Sequence, residues 1–179
     1  MIQRRIYQNE FPYFVTFRTR EGYPLFDKTE YAELLSQIMF NACALKRFDL
    51  LAYQIMLDHV HLLTQCNIKM DRTLERVRSG DVEWLFSPTE RTFSNVRSSI
   101  KKQHAISDLI QSIKGNFSRE LHIGNIWQRR FYTRIVNNRK YLENIIYYLK
   151  QNPIKEKSPQ KYGKPPYQYF DWPKINNLF

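Results

Sequence analysis

The apolar residues in the first third of the chain change their spacing twice, and the order of these spacings limits the fold. Residues 11–18 are aromatic and β-branched with rough alternation, which predicts a strand. From 27 to 45 the apolar residues recur every three or four positions, which predicts a helix that Asp27 could cap. Two short apolar runs follow at 48–56 and 59–65, and they predict either a hairpin or one long bent strand.

The second half of the chain predicts elements of both kinds. Residues 106–121 regain helical spacing, whereas 125–136 indicate a strand region in which arginines alternate with apolar residues. A last helix is predicted from about 140 to 151, and Pro153 would end it because proline has no backbone N–H to donate.

Two segments lack a clear period. Residues 67–104 carry charges of both signs, which predicts an inserted, partly helical segment between core elements. Residues 158–179 are basic and aromatic, and we expect a tail that is extended or partly ordered. The predicted organisation is therefore one domain over residues 1–157, containing the insert, followed by this tail.

The composition of the 179 residues fits one domain with a real core. Apolar residues make up 42%, with 12 Tyr, 12 Phe and 3 Trp, which excludes a wholly disordered chain. The longest stretch without a charge, 34–45, is well short of the roughly 18 apolar residues that a membrane span needs. The N-terminus lacks the apolar run of a secretory signal, and Cys43 and Cys66 are too few for a disulfide framework. We therefore expect no membrane partner and a cytoplasmic location.

Positive charge is concentrated in the second half of the chain. Residues 1–100 carry 13 basic and 12 acidic side chains, whereas 101–179 carry 15 basic and 5 acidic ones. Many aromatic residues interleave with this basic excess, as expected where phosphates are neutralised and bases are stacked. The charge favours a nucleic-acid partner, although a basic surface that only keeps the protein soluble would have the same composition.

Two of the four histidines form the sequence His59-Val60-His61 within an apolar run. Side chains two positions apart on a strand point to the same face, so the two imidazoles would stand side by side. Two neutral imidazoles make half of a divalent-cation site. A solvated strand face is the alternative, but the flanking leucines predict a buried strand, on which histidines need polar partners.

The last predicted helix carries two adjacent tyrosines with different surroundings. Its buried face consists of the apolar residues Leu142, Ile145, Ile146 and Leu149. At about 100° per residue, Tyr147 points away from the core, whereas Tyr148 lies at the edge of the apolar stripe. Tyr141 and Asn152 share that edge. Tyr148 can therefore present its hydroxyl to a cleft, or it can simply close the core.

Three blocks of the sequence resemble, in the same order, those of the single-tyrosine HUH transposases of the IS200-like superfamily. The blocks are residues 56–63 (MLDHVHLL), 126–132 (IWQRRFY) and 148–155 (YLKQNPIK). Within that superfamily they are most similar to the REP-associated tyrosine transposases. The resemblance spans roughly residues 8 to 157 and is weakest in the predicted insert, so residues 1–157 would form the catalytic domain.

This resemblance implies a fold and an activity. The fold would be α+β, a ferredoxin-like or RRM-like antiparallel sheet with helices packed on it, and the histidine pair would lie on a central strand. The activity would be cleavage of single-stranded DNA beside a hairpin such as a REP-like palindrome. Tyr148 would attack the scissile phosphate, form a covalent 5′-phosphotyrosine and release a 3′-hydroxyl that can later reverse the step.

The resemblance also implies the cofactor and its ligands. His59 and His61 would hold Mg²⁺ or Mn²⁺, which would help an otherwise protonated phenol to react. Asn152, one turn after the tyrosine, occupies the position of the third ligand, but it offers only a neutral amide oxygen. Asp58 is adjacent to the pair and could orient an imidazole or cap a turn, and a regular strand would favour the structural role.

The basic residues of the last two blocks and their neighbourhood would contact DNA phosphates. They are Arg129, Arg130, Arg134, Lys150 and Lys155. Alternatively Trp127 and Phe131 belong to the core and the basic residues only ring a surface. The rival functions are a non-catalytic DNA- or RNA-binding module and a domesticated relative that binds its hairpin but cleaves poorly. We expect a monomer or a homodimer associated with the nucleoid.

Overall fold

The structure, a computed structural model, describes residues 10–67 and 105–179. The predicted inserted segment, apart from Asn67, lies outside the described residues. The strands are β1 Tyr13–Arg18, β2 Phe48–Ile55, β3 His59–Cys66, β4 Tyr132–Ile135 and β5 Gln168–Phe170. The α-helices are α1 Thr29–Lys46, α2 Ile106–Glu120, α3 Arg139–Lys155 and α4 Trp172–Asn176.

The five strands form one sheet in the order β4-β1-β3-β2-β5, in which every neighbouring pair is antiparallel. The predicted α+β fold, an antiparallel sheet with helices packed on it, is confirmed. The two apolar runs of the sequence form a hairpin, with the Met56 N–H donating to the His59 carbonyl at 2.8 Å. Strand β3 is therefore the middle strand of the sheet.

One face of the sheet is covered by α1 and α2, which pack against each other. Alternate residues of β1 and β3 point into this larger core, among them Val15, Phe17, Val60 and Leu62, all of them fully buried. Trp127 is also buried here, with its ring centroid 5.2 Å from that of Phe17. Trp127 therefore belongs to the core, as one alternative had it, whereas Phe131 is only partly buried against the same core. None of the described helices is long and apolar enough to cross a bilayer.

The opposite face of the sheet is covered by α3 and the short helix α4. The apolar stripe of α3 packs on the strand residues that alternate with those of the larger core, including Phe14, Leu63 and Ala52. Because β3 alternates, His59 and His61 share this face with Leu63. The apolar residues on this face form a second, smaller core, and its packing places helix α3 alongside the two histidines.

Helix α3 continues past the proline that was predicted to end it. It runs to Lys155 and includes Pro153, whose missing N–H would otherwise bond to the carbonyl of Leu149. That carbonyl instead lies 3.5 Å from the side-chain amide nitrogen of Gln168 in β5. A second difference is at the start of α1, where Asp27 lies in a 3-10 turn before the helix and does not cap it.

The last residues of the chain are more ordered than their sequence predicts. After a 3-10 turn, β5 pairs with β2 as an edge strand, and α4 follows it directly. Tyr162 and Tyr167 in this segment are buried against the larger core. The boundary between a domain and a tail at residue 157 stays a prediction, although the sheet itself extends across it.

Gln54 ties this terminal segment to the sheet. Its side chain is fully buried on β2, where its Nε2 donates to the Tyr162 carbonyl at 2.8 Å and its Oε1 accepts from Gln168 Nε2 at 2.6 Å. Buried polar groups that lose their partners carry a desolvation cost. These bonds therefore stabilise the attachment of β5 to β2.

We expect Gln54→Ala to lower the free energy of unfolding by about 1–3 kcal/mol, because the carbonyl of the buried Tyr162 would lose its donor and Gln168 would lose its acceptor. Urea unfolding followed by circular dichroism measures this change. The matched control is Gln37→Ala on the exposed side of α1, which should stay within about 0.5 kcal/mol of the parent. Equal midpoints for the two variants would contradict the assignment.

Candidate active site

The two histidines of β3 lie side by side in the second core. His59 and His61 are only 3% and 4% exposed, and their ring centroids are 4.8 Å apart. Val60 between them points to the opposite face and is fully buried there. The prediction that the pair shares one face of a buried central strand is confirmed.

Each imidazole is held through its Nδ1 atom by a different neighbour. Asp58 Oδ1 lies 2.5 Å from His59 Nδ1, and Thr16 Oγ1 lies 2.8 Å from His61 Nδ1. Thr16 reaches its ring because the β1–β3 register places it directly opposite His61. Asp58 therefore contacts an imidazole, contrary to the structural role that a regular strand would favour, because β3 begins only at His59 and Asp58 lies in the turn before it. The Nε2 atoms of the two rings therefore point away from Asp58 and Thr16.

The hydroxyl of Tyr148 lies 3.1 Å from His61 Nε2. Tyr148 lies on α3 and its ring meets the His61 ring edge-on, with centroids 5.1 Å apart. Phe14 of β1 supports both, since it stacks on His61 and contacts the Tyr148 ring edge-on. The phenol and both imidazoles thus come together within a single chain.

The two adjacent tyrosines of α3 are clearly distinguished by their exposure. Tyr147 is 62% exposed, whereas Tyr148 is half-buried and packs against the second core. The helical spacing of the apolar residues Leu142, Ile145 and Leu149 fixes this difference, because these residues face the sheet.

A cavity of about 500 Å³ opens in front of these groups. Its walls come from β1, β3, the end of α3 and the segment that leads into β4. The lining residues are Thr16, Arg18, His59, His61, Gln128, Arg130, Phe131, Tyr132, Tyr148 and Glu156. The cavity is large enough for part of a nucleotide chain, and the tyrosine hydroxyl and the imidazoles share it.

Glu156 is a candidate site residue that the sequence analysis missed. It follows the last residue of α3, two turns beyond Tyr148, and its Oε1 lies 3.8 Å from His59 Nε2. One turn after Tyr148 the same edge of the helix carries Asn152, which has no charge. A second turn further on, this edge carries the acidic Glu156, and that spacing is the signal from which it could have been predicted.

Electrostatics keeps the His61 ring neutral and the Tyr148 hydroxyl protonated. Burial, reinforced by the neighbouring His59 and Arg18 charges, lowers the pKa of His61 to about 3. Burial and the negative charge of Glu156 raise the pKa of Tyr148 above its usual value, which Arg18 only partly opposes. At neutral pH a protonated phenol therefore lies in hydrogen-bond contact with an uncharged imidazole.

The donor set at the histidine pair fits a divalent cation. A metal-binding imidazole must be neutral and is commonly fixed through its other nitrogen by a carboxylate or hydroxyl, as Asp58 and Thr16 do here. Glu156 Oε1 lies 3.8 Å from His59 Nε2 and lines the same cavity, so a carboxylate stands beside the two imidazoles. Within residues 10–67 and 105–179, however, no three His, Cys, Asp or Glu side chains already converge as a closed metal site.

The remaining predicted site residues differ in their position relative to the cavity. Asn152 is buried in α3, with 3% of its surface exposed, and it does not line the cavity. Arg130 lines the cavity. Arg134 lies over the ring of Tyr132, and Lys150 lies over Trp172 on the other side of α3. Arg129 and Lys155 are exposed. Their contacts with DNA and the role of Asn152 stay predictions.

The chain is similar to known proteins both in sequence and in structure. A family model of IS200-like transposases matches residues 7–91, which include β1, α1, β2 and β3 and therefore both histidines. No curated protein matches the sequence. A candidate transposase from Deinococcus radiodurans R1 is 19% identical over 88% of this chain and 98% of its own, with a TM-score of 0.45. That score is too low to support a shared fold.

A stronger structural similarity covers the whole chain. The structure of a REP-associated tyrosine transposase bound to a REP hairpin matches 100% of this chain and 88% of that one, with a TM-score of 0.67 and 18% identity. The chain resembles the IS200-like transposases in sequence over residues 7–91, and it shares the fold of a REP-associated tyrosine transposase.

Proposed function

We propose that this protein is a metal-dependent nuclease and strand transferase that cleaves single-stranded DNA beside a hairpin through Tyr148. The observation that carries the proposal is the 3.1 Å approach of the Tyr148 hydroxyl to His61 Nε2, at a histidine pair on the central strand. A tyrosine that only closed the core would not need to place its hydroxyl against a buried imidazole in an open cavity.

The transfer step balances without an external energy source. The Tyr148 oxygen forms a bond to phosphorus while the bond from phosphorus to the 3′ oxygen breaks. The phenolic proton leaves to solvent, and the departing 3′ oxygen takes up a proton to become a hydroxyl. The phosphodiester energy is kept in the 5′-phosphotyrosine, so a second 3′-hydroxyl can reverse the step.

The residues that would hold a divalent cation are His59 and His61 through their Nε2 atoms, together with Glu156. Mg²⁺ or Mn²⁺ bound there would polarise the scissile phosphate and lower the cost of removing the phenolic proton. Tyr148 lies beside this set, with its hydroxyl 3.1 Å from His61 Nε2. The mixed nitrogen and carboxylate set favours Mn²⁺ at least as much as Mg²⁺.

Hairpin DNA is the proposed partner for two reasons. The solved structure with the same fold is bound to a REP hairpin. In addition, residues 101–179 carry 15 basic against 5 acidic side chains, which suits a polyphosphate ligand. Arg130 in the cavity and the exposed Arg129, Arg134, Lys150 and Lys155 are the proposed phosphate contacts. The proposed location is the cytoplasm, at the nucleoid, with a monomer or homodimer as the active form.

We expect Tyr148→Phe to abolish a covalent protein–DNA complex, because it removes only the attacking oxygen and keeps the ring that packs on Phe14. The measurement is a denaturing gel of protein incubated with Mn²⁺ and labelled single strands that carry the palindromes flanking the gene. Tyr147→Phe is the matched control and should form the complex at the parental rate, since its side chain is 62% exposed. A complex that persists in Tyr148→Phe would refute the proposed nucleophile.

We expect Glu156→Gln to weaken Mn²⁺ binding by about tenfold or more, because it removes the negative charge that faces His59 Nε2. Electron paramagnetic resonance titration of the DNA-free protein measures this affinity independently of cleavage. Glu143→Gln is the control, since Glu143 lies on the same helix but pairs with Arg139. If Asn152→Ala weakens binding while Glu156→Gln does not, the third ligand is the asparagine instead.

A further inference from the structure

Arg18 is a charged side chain in the cavity that the chemistry described so far does not use. It is the last residue of β1, and the strand register places it directly opposite His59. It lines the cavity together with His61 and Tyr148. Because strand partners in register point to the same face, its guanidinium is on the side of the sheet where the reaction would take place.

The charge of Arg18 is not neutralised by a carboxylate within 4.0 Å in the part of the chain that the structure describes. The next arginine along the chain, Arg20, differs in this respect because it pairs with Glu21 at 3.6 Å. An arginine that projects unpaired into a cavity can bind an anionic ligand without first breaking an ion pair.

The backbone of Arg18 is held from both sides. It pairs with β3 on one side, and its carbonyl accepts a hydrogen bond from the Gln128 N–H at 2.9 Å on the other. Arg130, the other cavity arginine, lies before β4 begins and has no strand partner at its position. Arg18 is therefore the better positioned of the two for a contact that must not reorganise during the reaction.

Arg18 is also near the reacting groups. Its strand partner is His59, two residues from His61, and its side chain lines the same cavity as His61 and Tyr148. Its positive charge therefore lies on the same wall of the cavity as the phenol and the imidazoles. A phosphate that contacts Tyr148 would consequently lie within reach of the same guanidinium.

We propose that Arg18 binds the non-bridging oxygens of the scissile phosphate and stabilises their charge in the transition state. This inference rests on the proposed function. Negative charge builds on those oxygens while the Tyr148–phosphorus bond forms and the bond to the 3′ oxygen breaks. A guanidinium can meet two of the oxygens with parallel N–H groups, which a lysine ammonium cannot do.

The first test is the single-turnover rate of covalent complex formation with Mn²⁺ and the palindrome-bearing strands. We expect Arg18→Gln to lower this rate on the order of 100-fold, as for the loss of one transition-state donor. Arg18→Lys should recover only part of it, since it keeps the charge but not the paired donors. Arg20→Gln is the control and should stay within about twofold. Equal rates for Arg18→Gln and Arg20→Gln would overturn the proposal.

The second test measures binding and needs no cleavage. Tyr148→Phe and the double variant Tyr148→Phe, Arg18→Gln are titrated with a strand whose scissile phosphate is either natural or an uncharged methylphosphonate. We expect Arg18→Gln to weaken binding of the natural strand several-fold and to leave the methylphosphonate strand unchanged. Equal losses on both strands would place Arg18 at a different phosphate, and no loss on either would remove it from binding altogether.

The two tests separate failure of this inference from failure of the proposed function. If the parent protein forms a Tyr148-dependent complex and Arg18→Gln forms it equally fast, only the role of Arg18 is wrong. If no complex forms in any protein, the proposed function fails, and the methylphosphonate comparison still decides whether Arg18 contacts that phosphate. Thermal melting of Arg18→Gln, expected to match the parent because the residue is exposed, controls for misfolding.

Discussion

The packing of the apolar stripe of α3 on one face of the sheet is the interaction on which the site depends. Leu142, Ile145 and Leu149 bury their side chains against that face, and the helix is thereby fixed in rotation as well as in position. This orientation of the helix directs the Tyr148 side chain toward His61 on the middle strand. Small shifts of this helix would move the hydroxyl out of hydrogen-bond distance, so the core and the chemistry share the same contacts.

Two parallel series of polar contacts organise the site. In one, Asp58 holds His59, which faces Glu156; in the other, Thr16 holds His61, which meets Tyr148. Because both rings are buried and held through Nδ1, their Nε2 atoms are directed toward Tyr148 and Glu156 in the cavity. Burial is the main cause of the raised pKa of Tyr148, and the negative charge of Glu156 adds to it. That carboxylate would also favour a cation in the cavity.

Much of the fold could be predicted because local periodicity reports burial directly. The alternation around His59-Val60-His61 and the spacing of apolar residues on α3 correctly separate Tyr148 from Tyr147. Local rules fail where a distant residue changes the outcome. Pro153 is tolerated inside α3, with Gln168, fifteen positions further on, facing the carbonyl that it leaves without a donor. The tail is ordered for the same kind of reason, because β5 completes its backbone hydrogen bonds only on the edge of β2.

The sequence by itself determined which chemical groups the protein carries and which side of each element they occupy, since side-chain direction along a strand or helix is a local property. It therefore placed the imidazole pair on one strand face and a tyrosine at the edge of a helix stripe. Only the tertiary structure decided which elements meet. The register between β1 and β3 brought Thr16 and Arg18 to the histidines, and the length of α3 brought Glu156 to the same cavity. Strand register and helix docking are set by the summed packing of many side chains, and no short pattern in one segment encodes that sum.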